Sequence, residues 1–171
     1  MEIKKEIVVN RPIQKVWGNQ YTTAYKWASG LTHSEGFGKP KFDGAECSNR
    51  TCEVPGFGKI QEDIKKFDTK NYLLAYEVVK GFPGFITSAV NTWSLERKGS
   101  NTLVSMHMKI QTKGFKGAIM GPMMKMQLNK TVAGIIEDLK VFVETGNPSD
   151  YKQKELAKNR KKAAYFCNTS I

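Results

Sequence analysis

The sequence has few of the residues that build metal, redox or nucleophilic sites. Its 171 residues include three cysteines and two histidines. Cys47 and Cys52 have no second pair of cysteines or histidines at ligand spacing, and Cys167 leaves the cysteine count odd. Neither histidine has a ligand partner: we expect His33 in a loop and His107 on the outward face of a strand. The sequence therefore predicts reduced thiols, no metal and no cofactor.

Long apolar runs are also missing. No stretch of 18 or more uncharged apolar residues occurs, so no transmembrane helix is predicted. Residues Met1 to Lys5 lead into a strand pattern instead of the apolar core of a signal peptide. We expect an unexported, cytoplasmic protein.

Acidic residues are scarce beside basic ones, at 16 against 27, which gives a formal net charge of +11. Residues 151–171 carry six basic residues and one acidic residue, a net charge of +5. We divide the chain into a domain of residues 1–147 and a basic C-terminal tail of residues 148–171. The tail could be solvated, packed on an anionic partner, helical, or an arm that binds phosphate. No nucleic-acid-binding signature accompanies it, so nucleic acid is not an expected partner.

The chain does contain a regular order of secondary-structure patterns. A strand pattern over Glu2 to Asn10 precedes a short helix opened by Pro12 and a second short helix over Tyr21 to Trp27. The period then changes to two, and turn residues separate the segments that follow. The predicted strands are Arg50 to Val54, Ile60 to Phe67, Tyr72 to Lys80, Phe85 to Arg97 and Leu103 to Thr112. Such short connections favour an antiparallel meander.

A long amphipathic helix ends the pattern. Apolar residues recur at spacings of three and four from Gly117 to Gly146, and methionine dominates the first half. A sheet and a single helix, each apolar on one face, pack well when the sheet curls around the helix. This arrangement predicts a cavity between the two elements, near the methionine-rich end of the helix. The hairpin from Gly81 to Phe85 could close over its mouth.

Strand parity indicates which residues face that cavity. Most of the inward residues are apolar, as in Val104, Met106, Met108 and Ile110. The polar exceptions are Glu62, Asn91 and the hydroxyl of Tyr76, together with Arg50 if its strand points that side chain inward. We expect Cys52 to be a small core residue. The alternative is that its thiol lines the cavity.

The order of several segments resembles a known family. The resemblance rests on Val8 to Trp17, Gly44 to Cys52, Gly58 to Ile64, Tyr76 to Val78 and Leu139 to Gly146. These segments are similar to the polyketide cyclase/dehydrase and lipid-transport group of the START-like (SRPBCC), or Bet v 1-like, superfamily. The resemblance implies an α+β helix-grip fold, with a curved seven-stranded antiparallel sheet wrapped around the C-terminal helix and two short helices after the first strand. That superfamily includes lipid and hormone binders as well as aromatic cyclases.

Three functions remain open from the sequence. The first is binding of a small hydrophobic or aromatic ligand, such as a lipid or polyketide, in the internal cavity. The residues expected to line that site are Trp27, Arg50, Glu62, Tyr76, Asn91, Trp93, Met106, Met108, Met120, Met123, Met124 and Leu128. Plain core packing is the favoured alternative for the methionines.

The second function is a cyclase- or dehydratase-like enzyme. General acid–base catalysis needs a titratable group close to the reacting atom, and Glu62 with Tyr76 meets that need. The structural alternative is that Glu62 pairs with Arg50 across neighbouring strands and fixes their register. The third function is an interaction protein whose basic tail binds an anionic partner. A homodimer is a possible assembly.

Overall fold

A seven-stranded antiparallel sheet, in the order β1-β7-β6-β5-β4-β3-β2, forms the frame of the protein. The computed structural model describes residues 1–18, 21, 23–55 and 58–168, with side chains as far as residue 159. The strands are β1 (Glu2–Val9), β2 (His33–Phe37), β3 (Asn49–Val54), β4 (Gly58–Asp68), β5 (Leu73–Lys80), β6 (Ile86–Lys98) and β7 (Asn101–Thr112). Strands β2 to β7 pair with their neighbours in sequence, and β1 pairs with β7. The predicted antiparallel meander is confirmed.

Strand β2 is absent from the sequence-based prediction, which placed His33 in a loop. Its residues His33–Phe37 pair with Glu53 to Asn49 at the edge of the sheet. Four of these five residues are exposed and only Ser34 is buried. An edge strand with one buried residue has no apolar alternation, so its period could not be detected from the sequence.

Two helical segments connect β1 to β2. Helix α1 (Ile13–Trp17) follows Pro12, as predicted. The second predicted helix, Tyr21 to Trp27, is wrong in extent, since only a 3₁₀ turn at Ala24–Lys26 forms. Thr22 of that prediction lies outside the described residues, as do Gly56 and Phe57 of the predicted turn before β4. Tyr21, Ala24 and Trp27 are buried, so core contacts hold this segment in addition to its turn hydrogen bonds, such as Ala28 N to Ala24 O at 2.7 Å.

Helix α2 (Gly114–Thr145) runs along the sheet and packs against β1 and β7. It begins three residues before the predicted Gly117. Gly146, the predicted end, terminates it in the left-handed conformation at φ 77°, which glycine adopts readily, and its N–H donates to Phe142 O. Val132, Ile136 and Leu139 are buried, so the C-terminal half of α2 belongs to the core.

Helix α3 (Asp150–Asn168) occupies most of the basic tail. Lys152 near its start is fully buried, and its Nζ donates to Leu31 O at 2.5 Å and to Glu155 Oε2 at 3.2 Å. Gly30 N donates to both Glu155 carboxylate oxygens, at 3.1 and 3.2 Å. The start of α3 is therefore fixed to the segment after the 3₁₀ turn. The side chains of Arg160, Lys161 and Lys162, which contribute to the predicted charge of the tail, lie outside the described residues.

The sheet curves because its ladders are interrupted. Register shifts occur in β4 between Gln61 and Glu62 and between Ile64 and Lys66, and in β6 between Ile86 and Ser88. Such bulges bend a strand and increase its twist. The inner face of the bent sheet carries the apolar core with Trp27, Leu74, Trp93, Met106 and Val104.

Candidate functional site

A group of polar side chains lies on the inner face of the sheet, away from solvent. We call it the interior polar cluster, and it consists of Tyr21, Arg50, Cys52, Glu62, Tyr76 and Asn91. All six are buried, at 9% exposure or less. Five of them come from β3, β4, β5 and β6, where alternation turns each side chain to the same face. Tyr21 comes from the irregular segment before the 3₁₀ turn.

Arg50 and Glu62 form an ion pair at the centre of the cluster. They face each other in the β3–β4 ladder. Arg50 Nε donates to Glu62 Oε2 at 2.7 Å and Nη2 lies 2.5 Å from the same oxygen. Burial acts to lower the pKa of Arg50, but the Glu62 carboxylate and the neighbouring Tyr76, Cys52 and Tyr21 together raise that pKa above its ordinary value. The cross-strand pairing predicted as the structural alternative is confirmed.

Tyr21 contacts Arg50 through both its backbone and its ring. Its carbonyl oxygen accepts a hydrogen bond from Arg50 Nη1 at 2.5 Å. The Arg50 guanidinium carbon lies 4.3 Å from the Tyr21 ring centroid and 5.2 Å from that of Tyr76. A guanidinium beside two aromatic rings gains cation–π attraction, which partly offsets the cost of removing it from water.

Tyr76 and Asn91 have hydrogen-bonding capacity that no group among the described residues uses. Asn91 Nδ2 donates to Tyr76 Oη at 2.8 Å, and Trp93 Nε1 donates to the same oxygen at 3.4 Å. Among the described residues, the Asn91 side-chain oxygen and the Tyr21 hydroxyl have no hydrogen-bond partner, although both are buried. Because Tyr76 already accepts two hydrogen bonds, its own proton remains to be donated. A single ligand could accept a hydrogen bond from the Tyr76 hydroxyl and donate one to the Asn91 side-chain oxygen.

Aromatic and methionine side chains adjoin this polar group. Trp27 and Trp93 meet edge to face, with ring centroids 6.3 Å apart. Met106 lies opposite Trp93 in the β6–β7 ladder and is buried, while Met108 lies opposite Asn91 and is half-buried. The structure therefore brings eight of the twelve predicted site residues to one face of the sheet: Trp27, Arg50, Glu62, Tyr76, Asn91, Trp93, Met106 and Met108.

The four predicted site residues on α2 divide between two faces of the helix. Met124 and Leu128 are half-buried, and Leu128 packs against the core. Met120 and Met123 are 39% and 62% exposed. Their predicted burial is wrong because the first half of α2 carries a second apolar stripe, and helical periodicity alone does not show which stripe meets the sheet.

Open space borders α2 at Gly121, whereas the two clefts found among the described residues have no α2 residue in their lining. Gly121 lies seven residues, about two turns, before the half-buried Leu128, and a Cβ at Gly121 would contact nothing within 4 Å. A cleft of about 180 Å³ is lined by Trp17, Tyr21, Ile64, Phe67 and Leu74, among others. A second cleft of about 300 Å³ lies between the ends of β5 and β6, where the two strands are no longer paired. The last paired residues are Glu77 and Val90. The cleft is lined by Glu77 to Phe82 and by Ile86 to Ala89.

Burial makes the remaining titratable groups of the cluster weak acids. It raises the pKa of Tyr76 to about 12 and that of the Cys52 thiol to about 12. Cys52 Sγ lies 3.9 Å from Glu62 Oε2. A thiol with this pKa is protonated at neutral pH, so Cys52 lacks the thiolate that a nucleophile requires.

No group of three or more potential metal ligands occurs in the part of the chain that the structure describes. His107 contacts Glu2 on the outer face of the sheet, which is the face predicted for it. His33 lies 6.0 Å from Tyr25, ring to ring, on the edge strand β2.

A family profile decides the relationship of this chain to known proteins. The profile described as polyketide cyclase / dehydrase and lipid transport matches residues 1–144. The chain belongs to this family. The match covers β1 through almost the whole of α2 and ends before α3, so the interior polar cluster lies within the polyketide cyclase/dehydrase and lipid transport region.

Solved structures show the same fold at low sequence identity. A START superfamily protein from Mycobacterium smegmatis is 14% identical, covers 84% of this chain and 97% of its own, and has a TM-score of 0.69. Ara h 8.0201 is 14% identical with the same two coverages and a TM-score of 0.66. The di-domain ARO/CYC BexL from the BE-7585A biosynthetic pathway is 9% identical, covers 83% of this chain and 47% of its own, and has a TM-score of 0.64. These similarities confirm the START and Bet v 1-like helix-grip fold.

No curated protein matches the chain in sequence. Among the described helices, none is both long enough and apolar enough to cross a membrane.

Tyr21 is the member of the cluster that sequence reasoning missed. Its position has no strand period, and its contacts with Arg50 and Tyr76 depend on the path of the chain between α1 and β2. The one available signal was an aromatic residue at the start of the predicted second helix, Tyr21 to Trp27.

Proposed function

We propose that this protein binds a small hydrophobic or aromatic molecule, lipid- or polyketide-like, in an internal cavity between the sheet and α2. The observation that carries the proposal is the unused hydrogen-bonding capacity of Asn91 and Tyr76. Asn91 is 5% exposed, and its side-chain oxygen has no partner among the described residues. A buried polar atom without a partner costs about 1–3 kcal/mol, and a bound ligand that supplies a donor would recover part of that cost.

The surroundings of Asn91 and Tyr76 support an apolar ligand with few polar groups. Trp93 and Met106 flank the pair, and both are at most 2% exposed. Methionine adapts its shape to different partners, while tryptophan provides a flat apolar surface. Burial of apolar surface supplies most of the affinity in such sites, and a few polar groups set orientation.

The Arg50–Glu62 pair supports binding more than acid–base catalysis. Both contacts from the guanidinium go to one carboxylate oxygen, Oε2. Through these contacts the Glu62 carboxylate orients Arg50 and thereby supports the floor of the site. Family membership is compatible with this function, since the family description includes lipid transport.

Competitive displacement of a hydrophobic fluorescent probe tests the proposal. Fatty acids and fused-ring aromatic polyketides that carry a hydroxyl group serve as competitors. We expect at least one class to displace the probe, and we expect Asn91→Leu to weaken the displacing ligand about tenfold because one hydrogen bond is lost.

Thr92→Val is the matched control for Asn91→Leu. Thr92 is the next residue of β6, and its side chain points to the other face of the sheet. Its affinity should equal that of the wild-type protein, and thermal melts establish that both variants fold. Absence of any competable binding, or equal losses in both variants, would overturn the proposal.

A further inference from the structure

The solvent-facing side of the first half of α2 carries a second apolar stripe. Phe115, Ile119, Met123 and Met126 follow one another at spacings of four, four and three residues, so they share one face of the helix. Their exposures are 80%, 61%, 62% and 58%, respectively. With Met120, they cover about three turns of helix with exposed apolar surface. Scattered exposed apolar residues are ordinary, but a continuous stripe marks an interaction surface.

Lysines surround this stripe, and acidic residues are missing. Lys113, Lys116, Lys125 and Lys130 are all exposed. Residues 97–136 contain no aspartate or glutamate. We call the surface formed by the apolar stripe and these four lysines the basic apolar face. Its charge has one sign throughout, which is unusual for a helix that only meets water.

The hairpin between β5 and β6 extends the basic apolar face. Lys113 N donates to Phe85 O at 2.8 Å, which fixes the start of α2 beside the hairpin. At the hairpin end of β5, Val79 is 47% exposed and Lys80 is exposed. Apolar and basic side chains from two separate elements therefore meet at the same end of the molecule.

Charge decides between the occupants that could cover such a surface. A symmetric dimer would place the same patch against itself and so bring the lysines of two copies together without an acid between them. An anionic lipid bilayer supplies negative phosphates at its surface and an apolar layer directly below. Amphipathic helices that lie in this interface have apolar side chains on one face and lysines beside them.

We propose that the basic apolar face docks on the surface of anionic lipid bilayers. The apolar stripe enters the boundary between headgroups and acyl chains, and the four lysines contact lipid phosphates. The contact holds the protein at the surface without spanning the membrane. The inference does not depend on an internal ligand, because the face lies outside the cavity.

Flotation of the full chain with lipid vesicles tests the inference. Vesicles that contain phosphatidylglycerol should carry the protein, and vesicles of phosphatidylcholine alone should carry little. Higher salt should weaken binding to the anionic vesicles, because screening reduces the attraction of exposed lysines. Equal flotation with both vesicle types, or with neither, would overturn the inference.

Two pairs of substitutions assign the binding to this face. Phe115→Ser with Ile119→Ser removes the apolar contact, and Lys116→Glu with Lys125→Glu reverses two charges. Each pair should reduce binding to anionic vesicles at least about tenfold. All four residues are exposed, so the thermal midpoint should change little.

Lys66→Glu with Lys70→Glu is the matched control for charge. Both lysines are exposed and lie at the opposite end of β4 and β5 from the hairpin. This variant should bind as the wild-type protein does, and an equal loss would show that total charge alone is responsible. A chain ending at Asn159 tests the contribution of the end of α3. The inference fails if that truncation abolishes flotation while the charge reversals on α2 leave it intact.

Size-exclusion chromatography tests the remaining candidate for the basic apolar face, a second copy of the protein. If the wild-type protein is dimeric and Phe115→Ser with Ile119→Ser makes it monomeric, a second copy covers the face and the inference is overturned. An unchanged elution volume in both proteins supports the lipid surface.

Discussion

Arg50 of β3 and Glu62 of β4 are paired directly across the sheet, with side chains that are 2% and 5% exposed. The same ladder contains a second oppositely charged pair, Glu53 and Lys59, whose side chains are 41% and 75% exposed and lie 3.5 Å apart. The two pairs share strands and differ in burial, which makes them a natural comparison.

Replacement of Arg50 by methionine should lower the free energy of unfolding by about 3–5 kcal/mol, because the Glu62 charge is left buried without its partner. Replacement of Lys59 by methionine should cost less than about 1 kcal/mol, since that pair is exposed. Urea denaturation of the two variants measures both values. Equal costs would contradict the account of the buried pair.

The double variant Arg50→Met with Glu62→Leu removes both buried charges. It should be more stable than Arg50→Met alone, because apolar residues of similar size can replace a buried ion pair at little cost. If the double variant is less stable than the single one, the pair is not a desolvated ion pair of the kind described.

Cys47 and Cys52 should react slowly with thiol reagents in the folded protein. Both are buried, and burial raises the pKa of each thiol, to about 12 for Cys52. Because the thiolate is the reactive species, very little of either residue is reactive at neutral pH. Ellman's reagent, applied to a Cys167→Ser background, should label both thiols promptly only after denaturant is added. Rapid labelling of Cys52 without denaturant would contradict its placement in the cluster.

Stability should decline at alkaline pH, beginning at about pH 9. Burial raises the pKa of Cys52 from 9.0 and of Tyr76 from 10.0, each to about 12. The unfolded chain therefore loses these protons first, and the folded state binds more protons between about pH 9 and pH 12. Their contribution to stability is complete below pH 9 and is lost as pH rises toward 12.

Urea titrations between pH 8 and pH 11 measure this decline, and substitutions assign it. Cys52→Ala should reduce the part that starts near pH 9, and Tyr76→Phe should reduce the part that starts near pH 10. Tyr151 is 71% exposed, so Tyr151→Phe should leave the profile unchanged. A decline of the same slope in all three variants would exclude these two groups as its source.

Lys152 should be required for stability although it lies in the basic tail. Its ammonium contacts Leu31 O and Glu155, and the side chain is 0% exposed. Lys152→Ala leaves the Glu155 carboxylate with one partner fewer and opens a cavity, so we expect a loss of about 2–4 kcal/mol. Lys154→Ala, at an exposed position of the same helix, should cost less than about 0.5 kcal/mol. Equal melting temperatures for the two variants would show that the start of α3 is not fixed to the domain.

The strand order and much of the interior cluster could be predicted because both depend on local patterns. Turn residues between alternating segments predict a meander, and parity alone brings Glu62, Tyr76 and Asn91 to one face. Strand β2 has no such pattern, because residues such as Glu35 and Gly36 give it no alternation of apolar and polar side chains.

Two other differences depend on tertiary contacts that no local pattern encodes. Tyr21 reaches Arg50 only through the path of an irregular segment. In α2, both Met123 and Met124 belong to apolar stripes, and only the packing of the helix on β1 and β7 decides which of them faces outward. The sequence pattern therefore located the helix correctly but assigned Met120 and Met123 to the wrong face.

Methyl spectra of the seven methionines test the proposed cavity most directly. Carbon-13 methyl labels at Met106 and Met108 report on the inner face of the sheet, and labels at Met123 and Met126 report on the outer face of α2. With a competitor that displaces the fluorescent probe, we expect the Met106 and Met108 signals to shift and the Met123 and Met126 signals to stay in place. Shifts confined to Met123 and Met126 would show that the ligand adsorbs to the surface, which would contradict an internal binding site.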